Sequence, residues 1–511
     1  MKKYIFLFLL LISSKNLSAQ EKGLDQRIDD AFQPISDFFS SVIFFEVSGY
    51  PFVILLLVAS ALFFTLYFGF PNIRYFLTSI NVVRGKYDSV EKSDSKSEEG
   101  EVSHFQALAT AVSGTVGNGN IAGVALAIAL GGPGATFWMI ICGLLGMSTK
   151  FVECTLGVYY RDVDKDGVVY GGPMYYISRG LKSKGFKTLG TVAASLFAVF
   201  CIGGSFGGGN AAQSNQATIV IKNLFGYEST FAGAMIGIVL ATLVGVIIIG
   251  GIKRIASVTE KVVPLMALLY ILACIYILTI NFSFIDDAIA LIIQEAFNPT
   301  AVGVGGIIGV LMVGFQRAAF SNEAGAGSAS IAHSAVKTKY AASEGLVALL
   351  EPFIDTVVIC TMTALVIITF NSSGVFVYGG DGMGGVMIDG VIYEGAGITQ
   401  KAFAQYIPGS DIFLTFAVVL FAVSTMISWS YYGLQSWKFL FGRGRVADLT
   451  YKVLFLIFVV IGAAASMNSI WAFSDAMIFA MVFPNMIGLY FLFPIVKEQL
   501  KIFRSNKKLI F

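Results

Sequence analysis

Residues 113–128 read "SGTVGNGNIAGVALAI", and this stretch decides how the chain folds. Its second half is apolar enough for a membrane helix. Its first half holds three glycines and two asparagines within residues 114–120, the residue types that most readily break helices. Non-helical backbone at membrane depth is tolerated only where it is buried in protein or lines a cavity. A break there frees carbonyls and amides for ions and small zwitterions. The half-helix that restarts after it turns a partial positive charge toward a carboxylate. The alternative is a glycine face for close helix packing. The asparagines favour a site, because a buried amide needs partners.

The rest of the composition agrees with a membrane setting. The chain has 511 residues, 56% hydrophobic and 13% charged, against about 25% charged in a soluble domain. This implies an all-α polytopic membrane protein. A net charge of +2 gives no footing for nucleic acid. The five cysteines (142, 154, 201, 274 and 360) sit in apolar stretches and read as small buried hydrophobes. The two histidines, His104 and His333, stand too far apart in sequence to suggest a metal site. "DVDKDG" at 162–167 opens like a calcium loop, but the twelfth position, which needs a bidentate Glu, is Pro173.

Residues 1–20 have the pattern of a secretory signal peptide: Lys2 and Lys3, a short apolar run, then small residues near Ala19. An uncleaved signal anchor is the alternative. Hydropathy then gives about eleven spans, near 50–70, 105–130, 135–158, 193–222, 231–250, 261–281, 304–332, 346–370, 411–437, 450–467 and 470–495. With the mature N-terminus outside, the inside segments hold 25 of the 34 Lys and Arg and the outside segments hold four. That bias orients the chain in a bacterial inner membrane, N-terminus periplasmic and C-terminus cytoplasmic. The expected organisation is an interfacial segment at 21–49, an extra helix and cytoplasmic loop at 50–104, five helices at 105–281, and five more at 282–495. An outer loop fills 371–410 and a cytoplasmic tail 496–511.

The seventh span, "GVGGIIGVLMVGFQRAAFSNEAGAGSASIAHSA", is also glycine-rich and interrupted. Two interrupted helices five spans apart, in opposite orientation, predict a five-plus-five inverted repeat with one extra N-terminal helix. Other polar residues lie at depth. Gln213 and Gln216 share a helix face. Ser424, Thr425 and Ser428 cluster within about one turn and offer hard oxygens suited to Na⁺. Asp355 and Asp475 are single intramembrane carboxylates. Lys150 and Glu153, three apart, suggest a local ion pair.

Several blocks resemble the alanine or glycine:cation symporter family, the sodium:alanine symporters. They are "GNGNIAGVALAIALGGPGATFWM" (117–139), "GMSTKFVECTLGVYYR" (146–161), "GGGNAAQSNQ" (207–216), "FSNEAGAGSASIAH" (320–333) and "STMISWSYYG" (424–433). The blocks come in family order across roughly 100–490. The resemblance implies the inverted-repeat fold of amino-acid/sodium symporters. It also implies uptake of a small amino acid driven by Na⁺, or by H⁺ in some members. It places the substrate at Ser113, Thr115, Gly117, Asn118, Gly119 and Asn120, with Gln213 and Asn215 opposite, and at a second break around Gly314, Phe315 and Ala318. The ion site would join Gly117 and Asn120 to Ser424, Thr425 and Ser428. Arg317, Asn322, Glu323 and Asp355 would serve gating or packing. The chain departs from the pattern at Ala318, where the family has Gly, at Asn118, and in "KYAASEG" (339–345).

The function expected is a symporter for alanine or glycine, with Na⁺ as coupling ion and no cofactor or other metal, working as a monomer in the bilayer by alternating access. Proton coupling is the alternative. A channel lacks a repeated filter motif, and no nucleophile–base or metal-ligand set suggests an enzyme.

Overall fold

The computed structural model describes residues 23–91, 100–227, 229, 231–300, 305–379 and 382–505. The expected signal peptide and the end of the tail lie outside them. Among the described residues, seven helices are long and apolar enough to cross a membrane. They are Gly134–Tyr159, Lys187–Phe225, Gly251–Ile280, Ala341–Ser373, Ser410–Phe441, Arg445–Ala464 and Met467–Ser505. The pair His104–Thr115 and Gly119–Gly131, bent by 51°, makes an eighth if counted as one span. The other three expected spans correspond to shorter helices, Phe52–Tyr67, Ala232–Ile248 and Gly306–Asn322. The last is short because its glycine-rich end leaves the helix early.

Local chemistry accounts for the first bend. Ser103 and Gln106 form a capping box that starts the helix at His104: the Ser103 hydroxyl accepts from the Gln106 amide, and the Gln106 side chain accepts from the Ser103 amide. Val116 then leaves the helical region, and the carbonyl of Asn118 restarts the chain by accepting the amides of Ala122 and Gly123 at 2.8 and 3.1 Å. The restart is a π-helical turn, Gly119–Gly123. A second π turn, Gly207–Ala211, interrupts the 187–225 helix, and a third, Phe353–Cys360, contains Asp355. Such turns cluster at functional sites.

The second break falls at 323–329. The helix Gly306–Asn322 ends on Glu323, whose φ is +56°, and Gly325 and Gly327 follow at +95° and +88°. Gly314 is not part of this break. It lies in regular helix, where a Cβ would stand 2.7 Å from the Ala135 carbonyl and from the Trp138 side chain. Gly314 therefore permits a close helix crossing, the role that glycine composition by itself does not separate from helix breaking.

Several side chains pair differently from the sequence expectation. Lys150 reaches Glu351 at 3.0 Å rather than Glu153. Glu153 turns to the second break, accepting from the Gly325 amide at 3.0 Å and from Asn485 at 2.8 Å. Asp475 is not a lone carboxylate, because it is ion-paired with Arg317 and accepts from Gln316 at 3.0 Å. The two histidines, 229 positions apart in the chain, both hydrogen-bond to Glu344: His333 Nδ1 at 2.5 Å, and His104 Nδ1 on the other oxygen. His104 Nε2 meets Glu91 at 2.7 Å, so this ring faces a carboxyl group at each nitrogen.

Removing one member of a buried ion pair typically costs about 3–5 kcal/mol. Glu344→Ala should therefore lower the thermal midpoint sharply in detergent. Glu344→Gln should recover only part of that loss, because the amide restores one acceptor but turns its NH₂ toward the other imidazole and removes the charge between them.

The expected interfacial segment contains a helix, Leu24–Ile43, docked along the start of Met467–Ser505. The expected outer loop holds a two-stranded hairpin, 386–388 with 391–393, and a helix, Ala396–Tyr406. That helix packs on the first bent pair, and the Thr399 hydroxyl donates to the Ile121 carbonyl at 3.2 Å.

Candidate functional site

Both breaks and the π turn at 207–211 converge on one small buried cavity. Its walls are Gly114, Thr115 and Gly119 from the first bent pair, and Gly208 and Gln213 from the 187–225 helix. Phe320 and Ser321 come from the end of Gly306–Asn322 and Glu323 from the second break, Thr425 and Trp429 from Ser410–Phe441, and Ile478 from the last helix.

The turn at 117–118 is held by Asn120 and Gln213. The Gly117 amide donates to Asn120 Oδ1 at 2.9 Å, and the Asn118 amide donates to Gln213 Oε1 at 2.9 Å. Asn118 Nδ2 reaches the Gln213 carbonyl at 3.2 Å, while Gln213 Nε2 donates to the Gly208 carbonyl at 2.8 Å. Gly117 faces the Thr425 hydroxyl and Gln213 so closely that a side chain there has no room.

On one side of the break, Ser113 and the Ser424–Thr425 pair exchange hydrogen bonds. Ser113 Oγ donates to the Ser424 carbonyl at 2.8 Å, and Thr425 Oγ1 donates to the Ser113 carbonyl at 3.0 Å. The Ser424 hydroxyl points elsewhere, to the Phe421 carbonyl at 2.9 Å. The Ser428 hydroxyl is buried and has no hydrogen-bond partner among the described residues. Thr425 and Ser428, with the nearby carbonyls, are hard oxygen donors suited to an alkali cation.

Asp355 links the two breaks. Its carboxylate accepts from Asn120 Nδ2 at 2.7 Å, from Ser321 Oγ at 3.1 Å and from Thr356 Oγ1 at 2.6 Å. It is fully buried and forms no ion pair among the described residues. Asn322 reaches Thr356 at 2.9 Å and also accepts from the Ala324 amide, which shapes the turn. Glu323 lines the cavity while accepting from Trp429 Nε1 at 2.8 Å and from the Ser328 hydroxyl.

Of the positions expected at the site, Thr115, Gly119, Gln213 and Thr425 line the cavity, with Ser113, Gly117, Asn118 and Asn120 forming the turn behind it. Asn215 faces away, donating to the carbonyls of Gly462 and Ala465 at 3.2 and 2.9 Å. Phe315 and Ala318 are buried in regular helix and do not border this cavity; Phe320, Ser321 and Glu323 do. Arg317 lies beside the Phe320 and Trp471 rings, 5.5 Å from each centroid, and those rings stack at 5.0 Å. Sequence reasoning missed Ser321, Phe320, Trp429 and Ile478 as lining residues. The first two lie in "FSNE" and Trp429 in "SWS", so their motifs were visible although their direction was not.

A family model described as the sodium:alanine symporter family matches residues 34–509. The chain belongs to the sodium:alanine symporter family. The sodium/alanine symporter AgcS of Methanococcus maripaludis is 38% identical over 459 residues, covering 90% of this chain and 95% of AgcS. The probable sodium/glutamine symporter GlnT of Bacillus subtilis is 32% identical, covering 89% of this chain and 88% of GlnT. A crystal structure of MhsT in complex with L-phenylalanine matches with TM-score 0.52 at 15% identity, over 78% of this chain and 99% of MhsT, a likeness of fold. This member of the family is thus a multi-pass membrane transporter and not an enzyme.

Proposed function

We propose that the chain takes up a small neutral amino acid, alanine or glycine, together with Na⁺, by alternating access. The observation that carries this reading is the meeting of two broken helices at one buried cavity, tied by Asp355. The substrate carboxylate faces the turn at 117–120, where the half-helix dipole favours negative charge. The ammonium lies toward Ser321 and Glu323. Phe320, Trp429 and Ile478 wall the cavity with apolar surface, which suits a hydrogen or methyl better than the amide of glutamine. Na⁺ sits against Thr425, Ser428 and the Ser113–Gly117 carbonyls.

The two bent helices belong to an inverted repeat of five helices each, with Phe52–Tyr67 as the extra helix. The termini lie as the charge bias orients them. One contact supports that topology: Arg161 donates to the carbonyls of Ser334 and Val336 at 3.0 and 2.5 Å, and Val102 pairs with Val336, so three segments assigned to the inside meet on one face. The Phe320–Trp471 stack and the Arg317–Asp475 pair close the cavity on the opposite face. Proton coupling is the second reading, favoured by Asp355, a buried carboxyl with no ion-pair partner among the described residues.

The test is uptake of labelled L-alanine, D-alanine, glycine and glutamine into proteoliposomes, with a Na⁺ gradient, with K⁺ in its place, and with a pH gradient alone. Accumulation of alanine or glycine only with Na⁺ supports the proposal. Accumulation driven by the pH gradient alone transfers coupling to H⁺, and glutamine as the best substrate overturns the alanine-or-glycine reading. Thr425→Ala should raise the Na⁺ concentration for half-maximal uptake at least tenfold. The amino-acid dependence at saturating Na⁺ should change much less.

A further inference from the structure

We propose that the Leu24–Ile43 helix is a clasp that sets the position of the Trp471–Asp475 turn, and so controls how readily the cavity opens on that face. Asp29 is its positioning residue. The proposal rests on the transport reading above.

The docking stripe repeats at alternating four- and three-residue steps: Asp25, Asp29, Phe32, Ser36, Phe39 and Ile43. That is one face of a helix. Asp25 reaches the start of Ala232–Ile248, where its carboxylate accepts the amides of Gly233 and Ala234 at 3.0 and 3.3 Å and pairs with Lys222 at 3.3 Å. These amides belong to the first turn, which has no partner within its own helix.

Asp29 does the same for the last helix. Its Oδ1 accepts both the amide and the hydroxyl of Ser466, at 2.9 and 2.8 Å. Ser466 in turn caps the helix, its hydroxyl oxygen accepting the Ser469 amide at 3.3 Å. Two negative charges four residues apart thus sit at two helix N-termini, where the helix dipole favours them. Ser36 adds a bond to the Ser469 carbonyl at 2.8 Å, and Phe32 packs edge-on against Phe473 at 5.1 Å.

The clasp therefore holds 466, 469 and 473, the residues that bracket Trp471 and lead to Asp475. Trp471 stacks on the cavity wall residue Phe320, and Asp475 pairs with Arg317. On the far side of the clasp, Ile35, Phe38 and Val42 are exposed apolar residues at three- and four-residue spacing, a stripe that fits the membrane interface. Asp25 and Asp29 precede the family match, which begins at residue 34. Ser36, Phe39 and Ile43, on the same stripe, fall within it.

The test places a cysteine at the cavity wall, Ile478→Cys, in the full-length protein in proteoliposomes. The five native cysteines are buried. A membrane-impermeant thiol reagent is added from the side on which Asn468→Cys reacts, which defines the Trp471 face. Adding Asp29→Ala, which removes the Oδ1 acceptor, should speed labelling of the introduced cavity-wall thiol about threefold to tenfold, the range expected for loss of a helix cap. Ser466→Ala should act in the same direction. Asp37→Ala, on the exposed side of the same helix, should leave the rate unchanged. Equal rates for Asp29→Ala and its parent, or an equal rise with Asp37→Ala, overturn the clasp. If Na⁺ with alanine or glycine fails to protect that thiol in the Ile478→Cys parent, the transport reading fails, while the ratio of the two labelling rates still decides the clasp.

Discussion

Gly117→Ala should abolish Na⁺-driven uptake, by at least about 100-fold, in a protein that still folds. At this position a methyl group would overlap the Thr425 hydroxyl and stand 3.0 Å from Gln213 Oε1 and 3.2 Å from Thr425 Cβ. Overpacking of this kind typically costs about 1–3 kcal/mol, which a chain of this size can survive. Function is more sensitive. The turn at 117–118 must keep its amides on Asn120 and Gln213 while its carbonyls face the ion. A displacement of a few tenths of an ångström spoils hard-oxygen coordination. The measurement is the initial uptake rate per folded protein, with a thermal midpoint alongside. Combining Gly117→Ala with Thr425→Ala removes the overlap, so the midpoint should recover. Uptake should not, even at the raised Na⁺ that supports Thr425→Ala by itself, because the methyl still stands 3.0 Å from Gln213 Oε1 and displaces the turn. Recovery of both would assign Gly117 to packing alone, and the pair would then show the coupling expected of contacting residues.

Asp355→Asn should also remove uptake, by about two orders of magnitude, with a modest effect on the fold. The carboxylate receives three donors, one from each break and one from its own helix. An amide offers one oxygen and one NH₂, so at least one of Asn120, Ser321 and Thr356 faces another donor. Leaving a buried polar group unsatisfied costs about 1–3 kcal/mol, and relief of a buried unpaired charge offsets part of it. The functional loss has a different origin. Asn120 orients the first break and Ser321 the second, and the shared anion is what makes them respond together. Uptake that falls only in proportion to folded protein would make Asp355 a packing residue. Full loss of uptake with Na⁺ dependence retained by Ser321→Ala would assign the essential role to the Asn120 side.

The first break was legible because its signal is local. Gly117, Asn118, Gly119 and Asn120 are poor helix formers whatever surrounds them, and the chain bends there by 51°. The second break was legible only as a region. Gly314 and Gly325 look alike in sequence, yet Gly314 permits packing on Ala135 and Trp138, whereas Gly325 takes a left-handed turn against Leu57 and Met486. The family resemblance places Asn215 at the site with Gln213, but the two diverge: one donates to Gly462 and Ala465, the other holds Asn118. The π turn at 207–211 just before them changes the helical phase, and no propensity encodes that.

The sequence by itself determined the membrane class, the family and the site's starting point, because apolar composition, charge asymmetry and helix-breaking residues act within a short window. Only the tertiary structure decided which polar groups meet. Asn120 and Asp355 are 235 residues apart, and His104 and Glu344 are 240 apart. A buried polar group must find a partner, but the partner depends on how each helix is rotated and how deeply it sits. Those variables are set by packing among all the helices at once, so the pairings emerge only when the whole bundle is assembled.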